Sequence, residues 1–267
     1  MLFTHIKNMD KTCLLFDVDL DGYASGSALI NYLYKLFPTF IKNKVMYQTN
    51  EGKKHGIILD TIPTDIKLLI VPDAGSNDIE QCKVLKEKGI DVLILDHHVC
   101  QDVNPYACVV NNQMCNYPTK SLCGAGVVYK FCQYIDNLLE VNYSDSILDL
   151  VALGLIGDVM DIRDFETKRL IDKGLAHPQN PFFTAMIEKQ AFSLKGELTP
   201  IGIAFYIIPF VNAVVRMGTN NEKILVFESL LDFKGSEMIP STKRGAKGES
   251  ETRAEQACRL ATNLKSH

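Results

Sequence analysis

The chain has 267 residues, 46% of them apolar and 22% charged, with a net charge of −4. That is enough apolar mass for a core without disulfide staples, and too little basic excess to mark a nucleic-acid binder by charge alone. The eight cysteines form no Cys-x-x-Cys pair, the N-terminus has no long apolar leader, and the run Ile201–Val215 is interrupted by Pro209 and Asn212; these features point to reduced thiols, no structural zinc, no membrane span and a cytoplasmic setting.

Residues 11–16 read as a buried strand running into Asp17, with Asp21-Gly22 as a tight turn and 24–37 as a helix stopped by Pro38. A short strand at 44–47 leads into a polar loop, 49–56, whose Lys53 and Lys54 suit a solvated face. A buried strand at 66–71 ends in Pro72-Asp73, a helix at 78–88 is stopped by Gly89, and a strand at 91–95 ends in Asp96-His97-His98. Another short strand, 106–110, passes through Asn111-Asn112-Gln113 to a helix at 124–139. The alternation predicts an α/β fold over residues 1–140, a mainly parallel sheet flanked by helices.

From there the pattern turns helical. Residues 144–156 read as an amphipathic helix capped by Ser144 and running into Gly157-Asp158, followed by helices at 164–175, at 181–191, from Thr199-Pro200, and at 221–231. Residues 141–233 are therefore expected to be the helical part of the same domain. Residues 234–267 read as a flexible loop with Lys234, Lys243, Arg244 and Lys247, then a helix over 251–264.

Asp17-Val18-Asp19-Leu20-Asp21-Gly22 resembles the opening of a calcium loop with Gly22 at its sixth position, but the twelfth, where a bidentate Glu is needed, is Ala28. No phosphate-binding Gly-x-x-x-x-Gly-Lys-Ser/Thr loop occurs, and Gly124-Ala125-Gly126 is only part of a dinucleotide fingerprint and suits helix-start packing. Any one of the aspartates, taken alone, reads best as a cap or turn residue. The set reads differently, because three apolar strands each end in a carboxylate, where an open parallel sheet presents its ligand crevice. Together with Asp158 they supply about seven hard ligands, enough for two divalent ions sharing a carboxylate. Mixed oxygen and imidazole donors suit Mn²⁺ or Mg²⁺, and paired ions of this kind serve phosphoryl transfer.

On the aspartate loop 17–21, Asp73-Ala74-Gly75, Asp96-His97-His98 and Gly157-Asp158-Val159-Met160, in that order, the chain resembles the DHH phosphoesterase superfamily. Val109–Gln113, Tyr117–Lys120, Leu122–Val128 and Asn212–Gly218 resemble its RecJ-like branch of single-strand exonucleases. The resemblance implies 5′-to-3′ hydrolysis of single-stranded DNA in recombination and repair, with RNA or short oligonucleotides as further substrates, and two Mn²⁺ or Mg²⁺ ions. It implies Asp17, Asp19 and Asp73 on one ion and Asp21, Asp73, His97 and Asp158 on the other, with Asp73 as the bridge. It further implies Asp73, Asp96 and His98 as the catalytic set, His98 meeting the phosphate, and Arg216, Asn112, Lys120 and Gly124 as substrate contacts.

Departures from the pattern shape these expectations. The histidine that many members carry four residues before the middle aspartate is Leu15 here, so Asp17 is expected to serve instead. The family's arginine after the second strand has no counterpart in 49–56, which leaves Lys53 or Lys54 to meet phosphate. The chain stops in a linking helix where the family continues into a second, glycine-rich domain, so strand binding is expected to be weak unless a separate chain supplies that wall. The alternatives are a phosphodiesterase for short oligonucleotides or cyclic dinucleotides, and a non-catalytic DHH-fold replication scaffold; retention of every expected carboxylate and both histidines argues against the scaffold.

Overall fold

The computed structural model describes residues 1–265 except Lys53, Cys115 and Lys247. Helix α1 (Leu2–Asn8) precedes β1 (Thr12–Phe16), α2 (Leu20–Leu36), α3 (Pro38–Lys44), β2 (Val45–Thr49), β3 (Leu68–Pro72), α4 (Ile79–Glu87), β4 (Asp91–Asp96), β5 (Cys108–Asn111) and α5 (Gly124–Leu139). The five strands form one parallel sheet in the order β2-β1-β3-β4-β5. Strands β1 and β3 are buried along their whole length and β4 from Val92 onward. With both faces covered, they carry unbroken apolar runs instead of an alternating pattern. The strand order reverses beside β1, so the crevice beyond its carboxyl end is the place where such a sheet takes a ligand.

The helical part comprises α6 (Leu148–Gly157), α7 (Phe165–Ala176), α8 (Pro181–Lys189), α9 (Ala191–Leu194), α10 (Pro200–Tyr206), α11 (Ile208–Met217), α12 (Asn220–Ser229) and α13 (Asp232–Gly235). A hairpin, β6 (Met238–Pro240) and β7 (Ser250–Thr252), leads into α14 (Arg253–Lys265). Period-two alternation in β1 divides the burial: Leu14 and Phe16 enter a large core shared with the helical part, whereas Cys13 and Leu15 face a smaller one with Cys82 and Leu85 of α4. In the large core Phe16 of β1 stacks on Phe227 of α12, centroids 3.9 Å apart, with Tyr23 of α2 edge-on to both.

Several local expectations need correction. Asp21-Gly22 is not a tight turn, because the Asp19 side chain accepts the Gly22 N–H at 2.9 Å as the N-cap of α2 and draws both residues into its first turn. Pro38 does end α2, yet it also opens α3, where its missing N–H costs nothing. In place of an amphipathic helix over 144–156 there is a 3₁₀ turn, Ser144–Ile147, followed by α6, which is buried all round between α2, α5 and α7. Ser144 caps nothing; its N–H donates to Asp136.

The expected basic loop, 234–249, holds the end of α13 and strand β6 and leads into β7, with Lys234 Nζ donating to Tyr47 Oη at 2.6 Å and Lys243 3.3 Å from Glu251. Lys247 lies outside the described residues. Glu251, expected to open the last helix, is buried in β7 and paired with Arg259 at 2.6 Å. Pro200–Met217 has, by length and composition, enough apolar helix to cross a membrane, which Pro209 had seemed to forbid. Proline is tolerated there because it falls in the first turn of α11, a helix that buries Val211, Val214 and Val215 and packs on α14.

Phe227→Ala is expected to destabilise the protein by about 3–5 kcal/mol, as loss of a buried aromatic does, and to shift one cooperative urea transition to lower denaturant. Separate transitions for the sheet and the helical part would show that they do not share a core.

Candidate metal centre

Each functional carboxylate stands where an element ends. Asp17 follows β1, Asp19 and Asp21 cap and open α2, Asp73 follows β3, Asp96 closes β4 and Asp158 follows α6. Asp73 has φ 67°, its N–H donating to the Leu95 carbonyl at 2.8 Å, and Val159, next to Asp158, has φ 55°. Left-handed backbone in residues other than glycine costs of order 1–3 kcal/mol and gathers at working sites, here at one carboxylate and at the residue beside another.

The side chains converge. His97 Nε2 lies 3.3 Å from Asp73 Oδ1, 3.5 Å from Asp158 Oδ2 and 3.9 Å from Asp21 Oδ2. Donor atoms within 4.8 Å of one another fall into three sets: Asp17, Asp19 and Asp73; Asp21, His97 and Asp158; Asp73, His97 and His98. Asp17, Asp21 and Asp73 are buried. Asp21 accepts the backbone N–H of Gly124 at 2.5 Å and of Ala125 at 3.1 Å, so the N-terminus of α5 offsets its charge. Asp17 Oδ1 and Asp73 Oδ1 make no hydrogen bond among the described residues.

Burial, and then the charges of Asp21 and Asp19, raise the Asp73 carboxyl well above the usual range; burial followed by Asp21 raises Asp19 too. Burial and Asp21 push Asp158 up to about 6, against the pull of His97. Crowded, desolvated carboxylates with unused oxygens beside an imidazole are a donor set for hard divalent cations such as Mn²⁺ or Mg²⁺.

Asp96, expected in the catalytic set, accepts hydrogen bonds from both histidines and from Ser76. Its Oδ1 accepts from His97 N at 2.7 Å, His98 N at 3.1 Å and His98 Nδ1 at 2.8 Å, and its Oδ2 accepts from Ser76 N at 3.0 Å. Burial opposes its ionisation, but these bonds prevail and hold its carboxyl at about 2, while the bond to Asp96 raises the exposed His98 ring to about 9. One buried carboxylate thus holds the His98 ring and the backbone N–H groups of both histidines.

The expected substrate contacts divide. Lys120 Nζ donates to the Asn112 carbonyl at 2.5 Å and Asn112 Nδ2 to the Thr119 carbonyl at 3.1 Å, so these two brace the β5–α5 connection. Gly124 gives its N–H to Asp21, and its lack of a side chain lets α5 sit against Asp73. Arg216 is exposed at the end of α11, makes no ion pair among the described residues, and lines a cleft of about 530 Å³ whose other wall includes Gly157 and Val159, on either side of Asp158.

Sequence reasoning missed His55. Lys53, expected to meet phosphate, lies outside the described residues and Lys54 is exposed, whereas His55 Nδ1 stands 2.6 Å from Asp17 Oδ2. The signal was topological: a polar loop leaving β2 must emerge beside the end of β1 if the two strands pair in parallel, as they do with Phe16 opposite Thr49. His55 and His98 line one cleft of about 430 Å³ together with Asp17, Asp96 and Ser76.

Residues 11–155 match the DHH family, N-terminal domain. YorK of Bacillus subtilis (strain 168), an SPbeta prophage-derived protein provisionally named as a single-strand DNA-specific exonuclease, is 40% identical over 269 residues, covering 99% of this chain and 45% of YorK. The single-stranded-DNA-specific exonuclease RecJ of the same strain is 27% identical over 241 residues, 87% of this chain and 30% of RecJ. The chain therefore spans less than half the length of either relative. Among solved structures, exonuclease RecJ bound to manganese matches with TM-score 0.80 and 20% identity over 99% of this chain and 63% of that one. The Mn²⁺ complex of RecJ from Thermus thermophilus matches with TM-score 0.77 and 19% identity over 99% of this chain and 36% of that one. At these identities the likeness establishes the fold.

The raised carboxyls dictate a pH dependence. An acid with a raised folded pKa binds protons better in the folded state, so the contribution of Asp158 to metal-free stability falls as pH rises from about 4 to about 6. Cations compete with those protons. Mn²⁺ is expected to raise Tm far more at pH 7.5 than at pH 5, and equal gains would remove these carboxylates as its site.

Proposed function

The chain belongs to the DHH family, and on that premise we propose that it is a two-cation phosphodiesterase that removes nucleotides from the 5′ end of single-stranded DNA in recombination and repair. The observation that carries this is the position of Asp73, a buried carboxylate with an unbonded oxygen that belongs to two of the three donor sets. The names of YorK and RecJ, and the manganese bound by RecJ, support the substrate and the metal.

Asp17, Asp19 and Asp73 would hold one ion, and Asp21, Asp73, His97 and Asp158 the other. The ions, when bound, supply a hydroxide at neutral pH and neutralise charge building on the phosphate. Asp96 fixes His98 by Nδ1, leaving the exposed Nε2–H to hydrogen-bond a phosphate oxygen or to protonate the leaving oxygen. Arg216, which makes no ion pair among the described residues and lines the cleft beside Asp158, is placed to grip a neighbouring phosphate.

Release of nucleotides from 5′-labelled single strands in Mn²⁺ tests the proposal. Asp73→Ala is expected to abolish turnover, leave the fold intact and lose the Mn²⁺-induced rise in Tm; a variant that keeps most of its activity would overturn the bridging role. His98→Ala is expected to lower kcat by about 100-fold with Mn²⁺ affinity little changed. Collapse of that affinity would put His98 among the metal ligands instead. Hydrolysis of dinucleotides with long strands untouched would point to a short-oligonucleotide phosphodiesterase.

A further inference from the structure

The loop after β2 is built to hold one side chain. Asn50 Nδ2 donates to the Gly56 carbonyl at 2.7 Å and Ile57 N–H to Asp78 Oδ2 at 2.7 Å, closing the loop on both sides of His55. Gly56 has φ 73°, and any side chain there would run into the Asp78 carboxylate. So anchored, His55 keeps most of its ring exposed while Nδ1 reaches Asp17, which is buried. That bond is the only one its carboxylate makes among the described residues. A carboxylate only accepts, so the ring carries its proton on Nδ1.

We propose that His55 is a positioning residue of the metal centre: it holds Asp17 by Oδ2 and leaves Oδ1 as the single donor that Asp17 contributes beside Asp19 and Asp73. The proposal rests on the two-cation function above. A buried carboxylate with no hydrogen bond is costly and free to turn about its side-chain torsions, whereas one fixed by an imidazole presents the same oxygen every time. Asp96 and His98 show the same pairing on the far side of the cleft with the roles exchanged, since there the carboxylate orients the ring. His55 thus gives Asp17 an orienting partner from the loop after β2.

Mn²⁺ titration by calorimetry at pH 8 separates this from a merely structural role, with far-UV circular dichroism and metal-free Tm establishing that each variant folds. His55→Ala is expected to weaken Mn²⁺ binding by about 10- to 100-fold, as loss of an outer partner of a ligand does. His55→Asn, whose amide nitrogen reaches about as far as Nδ1, is expected to recover most of the lost affinity. Parent-like affinity in His55→Ala, or an Asn variant as weak as Ala, would overturn the role of His55 alone. A parent protein that binds no Mn²⁺ would overturn the two-cation function and this inference together.

Discussion

Repulsion among carboxylates gathered at one edge of a parallel sheet is the constraint that organises this molecule. Most of the buried carboxylates at that edge accept hydrogen bonds from elsewhere in the chain. Asp21 takes two N–H groups from the start of α5, Asp96 takes four donors from Ser76, His97 and His98, and Asp17 takes His55. Asp73 is the least compensated: its backbone is fixed to β4, its Oδ1 has no hydrogen bond among the described residues, and although His97 Nε2 lies 3.3 Å from it, Asp21 and Asp19 crowd it with like charge. The chain compensates the central carboxylate least, which is the arrangement expected if cations supply the remainder.

Close packing makes that convergence possible. A side chain at Gly124 would collide with Asp73, and one at Gly154 with Asp21, so α5 and α6 approach the carboxylates only because both positions are glycine. The part-motif Gly124-Ala125-Gly126 therefore serves the packing of a helix start. It lets a helix N-terminus stand directly over an acidic cluster, where the positive end of the helix has the most effect.

The sheet was legible because strands buried on both faces appear as apolar runs with a polar residue at the end, and the positions of Asp17, Asp73 and Asp96 come straight from where those runs stop. What was not legible shares a physical cause, namely partners distant in sequence. The burial of α6 on every side depends on α2, α5 and α7, so Ser144 as a cap and an amphipathic face were reasonable but wrong. Basic residues at 234 and 243 among glycines suggested a flexible loop, whereas Glu228 and Glu251 hold them. His55 looked like one more polar loop residue until the pairing of β2 with β1 placed it on Asp17.

The division of the chain into a sheet part and a helical part does not divide the site. Asp158 arrives on α6, a helix of the second part, and meets His97 and Asp21 from the first. The cleft carrying Arg216 is walled by α6, α10 and α11. Stacking of Phe16 on Phe227 ties the same two parts together in the core. The candidate metal centre can therefore assemble only when both parts have folded onto one another, so a cation bound there would stabilise the packing of the whole chain and not a local loop. A lesion far from the carboxylates that loosens α6 or α12 then reaches the chemistry by the same route, through the position of Asp158 and the core that fixes it.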